Sequence, residues 1–328
     1  DAVARIAAGG LVAFPTETIW GLGADARSEV AVARLRAWKV RGEEHPLSVL
    51  VTGLDALVVL GAEVGPLARD LAGAFWPGPL TLVLPRAETV HDVVTGGQDT
   101  VAIRIPSHPM ARQLLDAFGG GIAAPSANRY GRLSATRAEH VQDEFGDAVK
   151  VILDGGECQV GLESTIVSCL GGVVRLLRPG AIKLSQLRAV VGNVEIGPDK
   201  ATPRVPGSAA AHYAPSTPLS IVPGGELDAL AESLSEGGQR IAVLAQRLPL
   251  KTYQYVTWIN AGKRAEAFGH DLYANLRTLD KAGCARILVQ EVPGDERWDA
   301  IRDRLARAAA GAAADSDSYS SLGTGVLP

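Results

Sequence analysis

Cysteine is scarce in this chain. Only Cys158, Cys169 and Cys284 occur in 328 residues, and no two of them form a C-x-x-C pair. An odd, scattered set argues against a disulfide framework and a zinc site, and it suits a reducing compartment. Long apolar runs are lacking as well. Stretches such as Ile122-Ala123-Ala124 and Val151-Ile152-Leu153 fall far short of the roughly 20 residues a membrane span needs. Positive charge is not in excess either. A formal net charge of −4 and a pI near 5.9 give no global attraction to a polyanion, so nucleic-acid contact would need a local basic patch. The usual nucleotide signatures G-x-x-x-x-G-K-[ST] and G-x-G-x-x-G are missing, as are H-E-x-x-H and an EF-hand loop. Any ATP chemistry here runs without a P-loop.

What is present is an ordinary globular composition, 47% hydrophobic and 21% charged. Single cores stop growing at around 250–300 residues, so the length favours two domains. The opening Asp1 to Ile6 reads as an amphipathic helix start and not as a signal peptide. Strand-like runs then alternate with helical patterns, which is the α/β signature. Strands are expected at 11–14, 47–51, 80–84, 100–105, 122–124, 149–153, 164–169 and 173–177, with a helix over 29–39. Thr136 and Glu139 suggest a capping box opening a helix toward Phe145. From Pro198 to Pro218 the chain is rich in Pro, Ala and Ser and reads as a linker. A second α/β unit follows, with strands at 219–222, 241–244 and 286–289 and helices at 265–281 and 298–310. The small, polar tail from Ala314 is expected to fray.

Several short segments concentrate polar groups at strand ends, where α/β folds hold ligands. Phe14 to Gly23 packs two threonines, a glutamate and two glycines behind the first strand. It reads equally as a ligand loop or as a tight turn with self-capping threonines. Lys39 and Arg41 close a helix, suited to phosphate or to the helix dipole alone. Ala124-Pro125-Ser126-Ala127-Asn128 offers close backbone approach with a hydroxyl and an amide, or a plain Asx or Ser turn. Arg104 lies inside an apolar strand and therefore requires an anionic partner. Glu163-Ser164-Thr165 and Leu177-Arg178-Pro179-Gly180 add polar groups, and His212-Tyr213 puts two rings in a bland linker.

Taken in order, PTETIWGLG, K-x-R with PLSVLV, WPGPLTLVL, VAIRIPSHP, APSANRYGRLSAT, ESTIV, LRPG and HYAP resemble the YrdC-like threonylcarbamoyl-adenylate synthases in their long two-domain form. The stretch from Phe268 to Leu305 resembles that form's second domain. Some positions depart from the pattern: Trp20 stands where Tyr is usual and is expected to serve as an aromatic wall, and Gly42 replaces a Pro. A His sometimes found in the strand after K-x-R is replaced near Leu50, and Ala209-Ala210-Ala211 replaces larger residues before His212.

The resemblance implies a twisted mixed α/β sheet over residues 1–197 forming a concave basic cavity, a linker lid over 198–218, and a smaller Rossmann-like domain over 219–328. It implies that L-threonine, bicarbonate or CO2 and ATP give threonylcarbamoyl-AMP and pyrophosphate. A separate transferase would then modify tRNA. Lys39 and Arg41 would be catalytic. ATP would be held by these two with Thr100, Ser126, Asn128, Ser134, Arg178 and Tyr213. Thr16, Arg104, Ala124 and Ser164 would hold threonine, and Mg2+ would come through the phosphates without protein ligands. A cytoplasmic enzyme without membrane or stable nucleic-acid binding is expected. The rival readings are a double-stranded RNA-binding module and a carbamoyltransferase acting on another amine.

Overall fold

Nine strands pair into one mixed sheet in the first part of the chain, seen in a computed structural model that describes residues 1–55, 60, 64–197 and 202–320, with side chains as far as 311. They are β1 (Val12–Phe14), β2 (Gly21–Asp25), β3 (Ser48–Leu50), β4 (Leu80–Pro85), β5 (Thr100–Arg104), β6 (Ile122–Ala123), β7 (Thr165–Leu170), β8 (Val173–Arg178) and β9 (Glu195–Ile196). Their order is β1-β2-β6-β3-β5-β4-β7-β8-β9. The pairs β3/β5, β4/β7 and β8/β9 are parallel and the rest antiparallel. Helices are α1 (Ala2–Ala7), α2 (Glu29–Lys39), α3 (Pro66–Phe75), α4 (Asp92–Thr95), α5 (Pro109–Phe118), α6 (Ala138–Phe145) and α7 (Leu184–Val191). The compact unit they form comprises Asp1–Tyr130 and Ser134–Ser208.

Successive side chains of a strand point to opposite faces, and that alternation sorts this sheet into two cores. Val12, Phe14, Leu50 and Ile122 pack with Ile6 of α1 and with Ala111, Leu114 and Leu115 of α5. Their neighbours Ala13, Val49, Val51 and Ala123 pack on the other side with Val32 and Leu35 of α2 and Leu71 of α3. Ser28 caps α2 by accepting the Ala31 N–H at 3.2 Å. Val205, in the stretch read as linker, is buried with Val83, Ala102 and Ile166.

Three local readings are corrected. Gly21-Leu22-Gly23 is not part of one turn but opens β2, an antiparallel partner of β1. Two glycines in five residues hide a strand from propensity, yet a Cβ at Gly23 would meet Phe14 Cε1 at 2.7 Å and Ile122 Cγ2 at 2.8 Å. The capping box at Thr136 does not form. Arg137 is the N-cap residue of α6, and His140 Nδ1 accepts the Thr136 N–H at 3.2 Å. Residues 149–153 make one parallel bridge to Ala13 and no full strand.

The second unit comprises Gly131–Leu133 and the chain from Ala209 onward. Strands β10 (Leu219–Val222), β11 (Ile241–Ala245), β12 (Val256–Asn260) and β13 (Arg286–Gln290) form an all-parallel sheet in the order β10-β13-β11-β12. Its helices are α8 (Leu227–Glu236), α9 (Ala265–Asp280) and α10 (Asp299–Ser320). β11 is buried at every position, as a strand covered on both faces must be. The edge strand β12 is only partly buried and carries Thr257 and Asn260, and so escapes the apolar pattern. Helix α10 continues ten residues past the Ala310 expected from sequence.

Gly180, just past β8, tests how closely the first sheet is packed. A Cβ there would meet the Ser164 carbonyl carbon at 2.6 Å and the Glu163 oxygen at 2.7 Å, both main chain. Main-chain atoms cannot swing aside, so Gly180→Ala is expected to destabilise the protein by about 3 kcal/mol. Urea denaturation midpoints of variant and parent measure this.

Candidate active site

The segment after β1 folds into a knot of its own hydroxyls. Thr16 Oγ1 donates to the Ile19 carbonyl at 2.7 Å, lies 2.8 Å from Thr18 Oγ1, and accepts the N–H groups of Thr18 and Ile19. The self-capped turn read from sequence is therefore present, and the remaining polar groups of the segment face Arg104. That guanidinium donates from Nη2 to Glu17 Oε1 at 2.6 Å, from Nη1 to Thr18 Oγ1 at 2.8 Å, and from Nε to the Gly78 carbonyl at 3.2 Å. Glu17 is thus the anion that a buried Arg104 requires. Burial alone raises the Glu17 carboxyl, but the Arg104 charge and hydrogen bond, helped by the Ser107 N–H, outweigh it and hold the group below its ordinary 4.5.

Main-chain bonds fasten this loop to the Ala124–Asn128 segment and to Ala135. Trp20 N–H donates to the Ala135 carbonyl, Ala127 N–H to the Trp20 carbonyl, and Leu22 N–H to the Pro125 carbonyl, all at 2.8–2.9 Å. Ala124, at the end of β6, is held in turn by the Ser48 carbonyl at 2.9 Å. Trp20 itself is no exposed wall. Its ring is fully buried in the larger core, and its Nε1 has no hydrogen-bond partner among the described residues.

Helix α2 delivers the two cations. It ends at Lys39, and Val40 takes a left-handed conformation at φ 53°, a rare state for a β-branched residue. Lys39 Nζ is fully buried and donates to the Ser126 carbonyl at 2.5 Å and to the Asn128 carbonyl. Burial, reinforced by the Arg41 charge, pushes this ammonium well below its ordinary 10.5, with Glu144 opposing. Arg41 donates to the Pro46 carbonyl at 2.9 Å and lies over the Tyr130 ring, whose other neighbour is His45, stacked at 4.9 Å.

A third group closes the site. Ser134 Oγ donates to Glu163 Oε1 at 2.6 Å, and Ser164 Oγ lies 2.7 Å from Thr81 Oγ1. Arg178, at the end of β8, donates to the Ser164 carbonyl at 2.8 Å and to its Oγ at 3.1 Å. Val160 N–H bonds the Glu17 carbonyl, so this group joins the first. The fold therefore gathers Thr16, Lys39, Arg41, Arg104, Ala124, Ser126, Asn128, Ser134, Ser164 and Arg178 onto loops and element ends bonded to one another. Thr100 opens β5, about 13 Å along the strand from Arg104 at its other end. Tyr213 lies in the second unit, buried between His212, Tyr273 and the Arg304 guanidinium.

Glu17, Thr18, Thr81 and Glu163 escaped the sequence reading as site residues. Glu17, Thr18 and Glu163 lie in polar segments that the sequence singles out, and Arg104 inside a strand demanded a carboxylate such as Glu17. Since the folded pKa of Glu17 is depressed, its stabilising contribution is complete above about pH 4.5 and is lost as pH falls through the lower folded value. Glu17→Gln should flatten that acid limb, read as the change in urea midpoint between about pH 6 and pH 3.

Known proteins are similar to this chain over most of its length. A family model for Sua5, YciO and YrdC proteins, described as telomere recombination, matches residues 4–180, and one described as the C-terminal domain of threonylcarbamoyl-AMP synthase matches residues 182–310. The threonylcarbamoyl-AMP synthase of Pyrococcus abyssi is 38% identical over 320 residues, 93% of each chain. That of Bacillus subtilis is 37% identical over 310 residues, 92% of this chain and 90% of its own. The crystal structure of P. abyssi Sua5 complexed with L-threonine matches at a TM-score of 0.88 and 37% identity, over 95% of this chain and 94% of that one. With both family models met in order and relatives this similar over nearly its whole length, the chain belongs to the Sua5, YciO and YrdC family in its two-domain, threonylcarbamoyl-AMP synthase form.

Proposed function

We propose that this chain makes threonylcarbamoyl-AMP and pyrophosphate from L-threonine, bicarbonate or CO2, and ATP. The observation that carries the reading is the set of buried cations Lys39, Arg41, Arg104 and Arg178 on mutually bonded loops of a family member whose relatives carry that activity in their names. In this reaction the threonine amine adds to CO2, losing a proton, and gives a carbamate. A carbamate oxygen then attacks the α-phosphorus of ATP, and the bond to pyrophosphate breaks. The step needs positioning and charge neutralisation more than a protein nucleophile.

Lys39, Arg41 and Arg178 are assigned to the triphosphate, and Thr100, Ser126, Asn128 and Ser134 to the nucleotide. Arg104 is assigned to the threonine carboxylate, with Thr16, Ala124 and Ser164 around the amino acid. Three of its five N–H groups have partners among the described residues, which leaves two for a ligand. Glu17 is bonded to Arg104 and Glu163 to Ser134, so Mg2+ is assigned to the ATP phosphates and to no protein cage. No helix among the described residues is long and apolar enough to cross a membrane. We place the enzyme in the cytoplasm, supplying a transferase that acts on tRNA.

Two outcomes test the reading. Lys39→Ala should abolish pyrophosphate release and weaken ATP binding, with the circular dichroism spectrum unchanged; a fully active variant would remove Lys39 from the site. Among amino acids, valine should be inert and serine poor, because a site that hydrogen-bonds a hydroxyl rejects the isostere lacking it far more strongly than one methyl discriminates. Pyrophosphate release with each amino acid, with and without bicarbonate, measures this, and equal rates for valine and threonine would refute it.

A further inference from the structure

The Glu17–Arg104 pair does more than satisfy a buried charge. Both side chains are nearly sealed from water, at 3% and 7% exposure, so the pair sits where the net charge of an incoming ligand is felt strongly. The other titratable groups that face it are neutral near pH 7. Burial pushes the Cys158 thiol up to about 12, and burial lowers His108 from its ordinary 6.5. The pair itself is therefore one cation beside one anion, with no net charge. Each member also keeps capacity for a ligand. Arg104 has two N–H groups without a partner among the described residues, and the Glu17 carboxylate accepts from Arg104, from the Ser107 N–H and from its own main-chain N–H, which leaves it one of four lone pairs.

We propose that Glu17 sets the amino-acid selectivity of the threonine subsite, its carboxylate receiving the threonine ammonium while Arg104 receives the threonine carboxylate. This rests on the assignment of Arg104 made above. A zwitterion brings two charges in the order complementary to the pair. A hydroxy acid brings only its carboxylate and sets it beside Glu17, and an amino ester brings only its ammonium and sets it beside Arg104. Like charges so placed in a dry site oppose binding. Thr18 and Thr16, bonded in series to Arg104, hold the pair in register.

The experiment is calorimetric binding of three ligands to the full chain: L-threonine, (2S,3R)-2,3-dihydroxybutanoate and L-threonine methyl ester. The parent protein should bind threonine on the order of 100-fold more tightly than either analogue. Glu17→Gln should lose threonine affinity by roughly 10- to 100-fold, the scale of a hydrogen bond to a charged group, while the hydroxy acid binds as well as before or better. ATP affinity should stay unchanged, which reports a folded protein. Equal weakening of threonine and the hydroxy acid would make Glu17 a structural residue only and overturn the proposal. So would a parent protein that binds the hydroxy acid as tightly as threonine, an outcome that needs no variant. If Arg104→Lys leaves threonine affinity intact, the carboxylate assignment itself falls; an Arg104-dependent site with no selectivity change in Glu17→Gln overturns the Glu17 role alone.

Discussion

An ammonium or guanidinium taken out of water has to be surrounded by oxygens, and five cations among the described residues of the first unit are in that position. Arg36 donates to the Val93 and Gly42 carbonyls, Lys39 to those of Ser126 and Asn128, and Arg41 to that of Pro46. Arg178 reaches the Ser164 and Pro206 carbonyls, and Arg104 the Glu17 carboxylate. Most of these bonds tie a loop to the helix or strand that carries or precedes the cation. The polar loops of the site are placed by these charges as much as by the two apolar cores beneath them.

The sheet makes this possible by bringing distant segments to one edge. Antiparallel pairing of β2 with β6 sets Gly21 across from Ser126, and parallel pairing of β4 with β7 sets Thr81 close enough to touch Ser164. The left-handed Val40 then turns the chain at the end of α2, so that Lys39 and Arg41 serve the same group of loops. A strained residue of this kind costs on the order of 1–3 kcal/mol and persists only where its surroundings enforce it. Here the surroundings are the carbonyls that hold the cations on either side.

Such a site is suited to reactions that need charge and orientation more than a nucleophile. Its one fully buried cysteine has a thiol that burial has pushed up to about 12, too poor an acid to supply a thiolate near neutral pH. The groups that remain are cations, hydroxyls and main-chain oxygens, which fits the transfer of an adenylyl group to a carbamate.

Sequence by itself determined the α/β class, most strands of both sheets, the span of helix 29–39, and the short polar segments at strand ends. Apolar periodicity and an improbable charge inside a strand are local signals that survive without a fold. The long form of the family was legible from the order of its motifs. Other features depended on distance through space. Gly21–Asp25 became a strand only because β1 and β6 pair with it, against the propensity of its two glycines. Trp20 became core and not a wall because the loop around it is bonded on both sides to residues more than a hundred positions away. Thr100 and Arg104 share a strand, yet its length keeps them about 13 Å apart. That Arg104 needs an anion was readable at residue 104, but that the anion is Glu17, 87 positions earlier, was decided only by the tertiary fold that seals both from water.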